Sequence, residues 1–135
     1  MKIYLAGYTG RKPEQLKQLS DTLNATVVDI RLSPRSRVPY WEKPALQALF
    51  GVKYIWIKEL GNVNYKGGPI QILDIGNGMD RAVGYCEFQN SDMICLCACK
   101  DGYSCHRFVV GNGFANLGYE VQEVDWSIIA QPVLF

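Results

Sequence analysis

ATVVDI, residues 25–30, is apolar or β-branched at every position but Asp29. A strand with one wet face alternates between apolar and polar residues. A strand covered on both faces reads instead as a continuous apolar run. Residues 25–30 are of the second kind, so helices should lie on both sides of the sheet that holds them. Outward from this run the same signature recurs at Lys2–Ala6, Val52–Ile57 and Met93–Cys99, with a shorter candidate at Glu120–Val124. Helical patterns fill the intervals. Pro13 suits a first helical position, and Leu16, Leu19 and Leu23 form one apolar stripe. Further helices are expected over Lys43–Phe50, over Asp80–Phe88, and from Cys105, with Ser104 as N-cap, to Gly118. Gly111 and Gly113 weaken the last of these.

The alternation of strands and helices, with right-handed crossovers, predicts a single α/β domain over residues 1–135. Its five-stranded sheet should be mainly parallel, with helices on both faces, the first strand central, and the loops after strands one, two and four meeting at one edge. The tail at 127–135 is apolar without a helix or strand period, and is expected to pack along the body or against a second copy in a homodimer.

Composition narrows the function. With 14 Lys and Arg against 13 Asp and Glu, the formal charge is +1, so no global field draws in nucleic acid or membrane. The start MKIYLAGYTGRK has too short an apolar run for a signal peptide, and nothing approaches a membrane span. Five cysteines, three of them at alternate positions 95, 97 and 99, are not a secreted disulfide framework and imply reduced thiols in the cytoplasm.

Against that neutral background, the loops after the strands concentrate arginine. The first carries Gly7, Tyr8, Thr9, Gly10 and Arg11; the second carries Asp29, Arg31, Arg35 and Arg37, followed by Tyr40 and Trp41. The fourth ends in Cys105, His106 and Arg107, and His106 is the single histidine. Ligands of open α/β sheets sit where such loops converge. Two glycines before a helix let backbone amides approach an anion, and guanidinium forks suit phosphate or carboxylate. The alternatives are an ordinary glycine turn and a solvated loop whose arginines pair with local carboxylates such as Asp29. Cys105 at a helix start is an anion site or an activated thiolate, or it packs against the sheet beside local pairs of His106 and Arg107. Zinc on Cys97, Cys99, Cys105 and His106 is disfavoured because the spacing C-x-C-x5-C-H is not a usual paired-ligand pattern, so no metal or cofactor is expected.

The segments GYTGR, VVDIRLSPRSRVP, IKELGN and LCACKDGYSCHR, taken in order, resemble the domain-of-unknown-function family 488 from Tyr4 to about Val124. The most specific piece is a cysteine, seven residues, then Cys-His-Arg, met by Cys97 and Cys105–Arg107; the family usually has an acidic residue where this chain has Cys99. The resemblance implies a Rossmann-like α/β domain associated with nucleotides or nucleic acid, without an established activity.

The combined expectation is an arginine-rich pocket for a phosphorylated, nucleotide-like small molecule, which is sequestered or turned over by hydrolysis or glycosyl transfer. Gly7, Tyr8, Thr9, Gly10, Arg11, Arg31, Arg35, Arg37, Trp41 and Arg107 would bind the ligand, and Cys105, His106 and Asp29 would supply any chemistry. Removing Arg31 or Arg107 should then cost binding and little stability. The competing readings are a module that contacts nucleic-acid phosphates and a thiol redox protein using Cys97 with Cys105.

Overall fold

In the computed structural model, which describes residues 1–99 and 105–129, the apolar runs are strands of one all-parallel sheet. The strands are β1 (Lys2–Gly7), β2 (Ala25–Asp29), β3 (Tyr54–Trp56), β4 (Asp92–Cys97) and β5 (Glu120–Glu123), in the order β3-β2-β4-β1-β5. The helices are α1 (Pro13–Leu23), α2 (Lys43–Phe50), α3 (Ile75–Phe88) and α4 (His106–Asn116). This is a Rossmann-like α/β arrangement, and no helix among the described residues is long and apolar enough to cross a membrane.

The inner strands β1, β2 and β4 feed both faces, which is why their sequences do not alternate, whereas the edge strand β5 is mostly exposed. On one face Ile3, Leu5, Val28, Met93 and Cys95 pack with Met79 and Ala82 of α3 and Val110 and Phe114 of α4. On the other, Tyr4, Ala6, Val27, Ile94 and Leu96 meet Leu16 and Leu19 of α1 and Leu46 and Phe50 of α2.

The central strand is β4, not β1, which corrects the expected order. The connection from β1 to β2 skips one strand position, and β4 fills it, pairing with β1 at Leu5–Cys95 and with β2 at Val28–Cys95. The connections after β1 and β2 run over one face, through α1 and α2, while those after β3 and β4 run over the other. Adjacent β2 and β4 therefore send their loops to opposite sides, opening a crevice at their carboxyl ends.

Several boundaries move for local reasons. Val52 sits in a 3-10 turn and is largely exposed, so β3 starts at Tyr54. Helix α3 begins at Ile75, before the expected Asp80, because Asp74 caps it by accepting from the Asn77 amide at 3.4 Å and the Asn77 side chain at 2.8 Å. Gly111 does not break α4; a Cβ there would lie 2.7 Å from Leu5 Cδ1, so the glycine lets the helix lie close on β1. The expected N-cap Ser104 and residues 130–135 of the tail lie outside the described residues. Cys105 occupies the N-cap position of α4.

Candidate functional site

The crevice holds contiguous concave volumes. One, of about 390 Å³, is bordered by Arg31, Arg35, Asn62, Tyr65, Cys99 and His106. The next, of about 570 Å³, is bordered by Thr9, Arg11, Lys12, Arg35, Arg37 and Tyr40, with the edges of Tyr8 and Trp41. Arg35 and Ala98 line both. A third volume of about 340 Å³ lies across the first loop, between Gly7, Arg11, Arg107 and Trp126. A further cavity, at the amino end beside Asn24 and Asp92, carries no arginine or histidine.

Asp29 is fully buried at the end of β2, and its carboxylate is already engaged. It accepts from Arg31 Nε at 2.8 Å, Arg31 Nη2 at 2.6 Å and Tyr54 OH at 2.5 Å. Burial works against the Arg31 charge, but the Asp29 hydrogen bonds and field outweigh it and raise the guanidinium pKa. Burial and the same carboxylate push the Tyr54 phenol up. The remaining Arg31 donor reaches Tyr8 OH at 3.3 Å, and Tyr8 stacks on Trp41 with centroids 4.3 Å apart. Trp56 donates to the Arg31 carbonyl at 2.7 Å, and Trp41 to the Arg11 carbonyl at 3.3 Å. Arg31 is thus a structural cation that shows only its edge to the smaller cavity.

Arg107 is likewise paired. Its Nε and Nη2 take both oxygens of Glu123 at 2.8 and 3.2 Å, and Nη1 donates to the Cys99 carbonyl at 2.9 Å and Cys97 Sγ at 3.3 Å. Gly7 makes this possible: a Cβ there would lie 1.7 Å from the Cys99 oxygen and 2.8 Å from Arg107 Nη1. The empty space at Gly7 is filled by protein, a use other than the ligand approach expected of it.

Around Arg107 the sulfurs of Cys97, Cys99 and Cys105 lie within 4.8 Å of one another, and those of Cys97 and Cys105 are 2.7 Å apart. All five cysteines are free thiols. Hydrogen bonding with Cys97, and after it with His106, draws the Cys105 thiol well below its ordinary range against the effect of burial. His106 Nδ1 is 4.0 Å from Cys105 Sγ, and its Nε2 meets the Ile30 carbonyl at 2.6 Å. Cys105 is 1% exposed, whereas Cys99 is half-buried and borders the smaller cavity.

The crevice therefore gathers the residues singled out from the first, second and fourth loops, but in different states. Arg11, Arg35 and Arg37 line the larger cavity and form no ion pair with a described residue; Arg11 lies over the Trp126 ring at 4.5 Å. Of Cys105, His106 and Asp29, His106 alone borders one of the described cavities. The first-loop amides of Tyr8, Thr9 and Arg11 are spent on the carbonyls of Cys97, Ala98 and Tyr8, which limits that loop as an anion cradle. Gly10, with φ +80°, forms the turn. Residues 100–104 of the fourth loop lie outside the described residues. Lys12, Asn62 and Tyr65 also line the cavities and were not among the expected site residues; the signal at Tyr65 is an aromatic just before the turn residues Gly67 and Gly68.

Residues 14–67 match the family model described as Domain of unknown function DUF488. The DUF488 match runs from α1 past β3 and includes Asp29, Arg31, Arg35 and Arg37, but is shorter than the expected span from Tyr4 to about Val124. GYTGR and the Cys-His-Arg segment lie outside it. No curated protein and no solved structure matches the chain.

Proposed function

We propose that the carboxyl end of the sheet binds a phosphorylated, nucleotide-like small molecule, with Arg35 as the central anion contact. The observation that carries this reading is the position of Arg35. Its exposed side chain borders both the 390 and 570 Å³ volumes and has no ion-pair partner among the described residues. A ligand spanning the two volumes would place an anionic group at Arg35, within reach of Arg11 and Arg37, and a ring against Tyr40 or Tyr65. Tyr8 and Trp41 form the wall rather than the stacking platform, since they stack on each other and are otherwise buried. Among the described residues, neither cavity is lined by an acidic side chain that would repel the ligand. A small ligand accounts for this better than a nucleic-acid backbone, because the available charge lines concave volumes of ordinary ligand size. Five free thiols fit a reducing, cytoplasmic location.

The test is calorimetric titration of nucleoside mono- and diphosphates and ribose 5-phosphate into wild type and Arg35→Ala. One charge-assisted contact is worth about 1.5–3 kcal/mol, so the variant should bind about 10- to 100-fold more weakly. Its unfolding free energy should change by no more than about 0.5 kcal/mol. Arg35→Lys should recover part of the loss. Equal affinity in wild type and Arg35→Ala, or no binding of any phosphorylated compound to wild type, refutes the reading.

A further inference from the structure

We infer that Cys97, Cys99, Cys105 and His106 form a binding site for a thiolate-seeking divalent metal ion, zinc above all. Three sulfurs within 4.8 Å of one another are close to a coordination shell. With Zn–S near 2.3 Å and Zn–N near 2.0 Å, a tetrahedral site has S···S edges of roughly 3.8 Å and S···N edges of roughly 3.5 Å. His106 Nδ1, 4.0 Å from Cys105 Sγ, lies outside that group of three sulfurs and has to move inward to complete the shell. The Cys97 and Cys105 sulfurs, at 2.7 Å, are too close for two uncharged thiols and too far for a disulfide of about 2.05 Å. They need to part by about 1 Å to share an ion.

The histidine supplies an independent argument. A carbonyl can only accept, so the 2.6 Å contact with the Ile30 oxygen requires the proton on Nε2. An incoming ion would displace the Nδ1 proton, leaving a lone pair 4.0 Å from Cys105 Sγ. One ring nitrogen anchored to a carbonyl while the other lies beside the Cys105 thiol is the arrangement that orients a metal-bound histidine. Arg107 completes it. Three thiolates and a divalent ion carry one net negative charge, and the Arg107 guanidinium donates to Cys97 Sγ at 3.3 Å while Glu123 holds it from the far side. The unusual spacing disfavoured this site on sequence grounds. In space, the end of β4 contributes Cys97 and Cys99, and the start of α4 contributes Cys105 and His106, so two elements meet as paired ligands do. Three thiolates, with His106 drawn in as the fourth ligand, would close the site and tie β4 to α4, independent of any anion in the crevice.

Full-length protein purified without added metal should contain one zinc per chain by elemental analysis and native mass spectrometry. After removal of zinc by a chelator under reductant, cobalt(II) should restore one equivalent, with tetrahedral visible bands and a thiolate charge-transfer intensity corresponding to three sulfurs. Cys99→Ser is the variant of choice because this thiol is only half-buried. It should lower the charge-transfer intensity by a third and weaken zinc binding by more than about 100-fold, since outer-shell partners alone cost 10- to 100-fold. Three results overturn the site: no zinc retained and no cobalt spectrum in wild type, an unchanged spectrum in Cys99→Ser, or metal-free protein with the mass deficit of a Cys97–Cys105 disulfide. The wild-type spectrum decides the question even if the variant fails to fold.

Discussion

Arg31→Ala is expected to destabilise the protein severely even without ligand, contrary to the sequence-based expectation that it costs binding and little stability. The substitution leaves the Asp29 carboxylate, which has 0% exposure, with Tyr54 as its one remaining side-chain donor. Three contacts vanish at once: Nε and Nη2 on the two carboxylate oxygens at 2.8 and 2.6 Å, and Nη1 on Tyr8 at 3.3 Å. Breaking one side of a buried ion pair typically costs about 3–5 kcal/mol, because the remaining charge has no solvent to turn to. A chain of this length has a total stability of roughly 7–20 kcal/mol, so the loss takes a large share. Asp29→Leu alone strands the guanidinium and should cost a similar amount. The pair Asp29→Leu with Arg31→Met should be far milder than the sum, because replacing both partners of a buried pair by apolar groups is often neutral or stabilising. Urea unfolding followed by tryptophan fluorescence measures all four corners of this cycle, and Arg35→Ala serves as the surface control. Losses below about 1 kcal/mol in both single variants would refute the argument. Arg31 would then be a mobile cation available to a ligand.

Tyr54→Phe tests the same network from the alkaline side. The Tyr54 phenol is raised by burial and by Asp29, so its contribution is intact below the free tyrosine value of about 10 and is lost as pH rises above it. Wild type should lose stability above about pH 10 more steeply than Tyr54→Phe, which should instead be weaker by about 1.5–3 kcal/mol at pH 7; parallel pH profiles would contradict this. Gly7→Ala drives a methyl group into the Cys99 carbonyl and should cost about 3 kcal/mol or more in urea unfolding, and wild-type stability would show that the approach is not needed. Burial pushes the Cys86 thiol up to about 12 and raises Cys95 as well, so neither should be alkylated at pH 8 until the protein unfolds. Peptide mapping that finds either labelled in native protein at the rate of a free thiol would be the contrary outcome.

The strands were legible because burial on both faces leaves a direct trace in residue type, as at Thr26, Val27 and Val28. Their order was not. Alternating elements determine that the strands run parallel and the crossovers right-handed, but not how many positions a crossover skips, and here the first skips one to admit β4. The arginine-rich sheet end was legible as a concentration of charge, but the partners that neutralise part of it were not equally visible. Asp29 stands two residues before Arg31, and pairing was one of the open readings. Glu123, the partner of Arg107, lies 16 residues downstream on an edge strand, and no local pattern announces it. The sulfurs were legible as possible ligands and as a redox pair, but their spacing argued against the zinc reading for a related reason. Ligand spacing describes loops that close on themselves, whereas Cys97 and Cys105 are joined by a strand end meeting a helix start.

These pairings redistribute the charge of the crevice. A chain with a formal charge of +1 has little long-range field, so attraction at the sheet end depends on which cations remain after internal pairing. Arg31 is cancelled by Asp29 and Arg107 by Glu123, leaving, among the described residues, Arg11, Lys12, Arg35 and Arg37 around volumes whose larger two members have no described acidic lining. The neutralised arginines still shape the site. Arg31 braces Tyr8, which stacks on Trp41, and Trp41 is bonded to the first loop at the Arg11 carbonyl. Residues 33–40, which carry Arg35 and Arg37, are thus held at both ends: at Arg31 by Asp29 and Trp56, and at Trp41 by the stack. Two classes of arginine follow, with opposite signatures on substitution. Arg31 supports the loop and is paid for in stability, whereas Arg35 rides on the loop and should register in affinity alone.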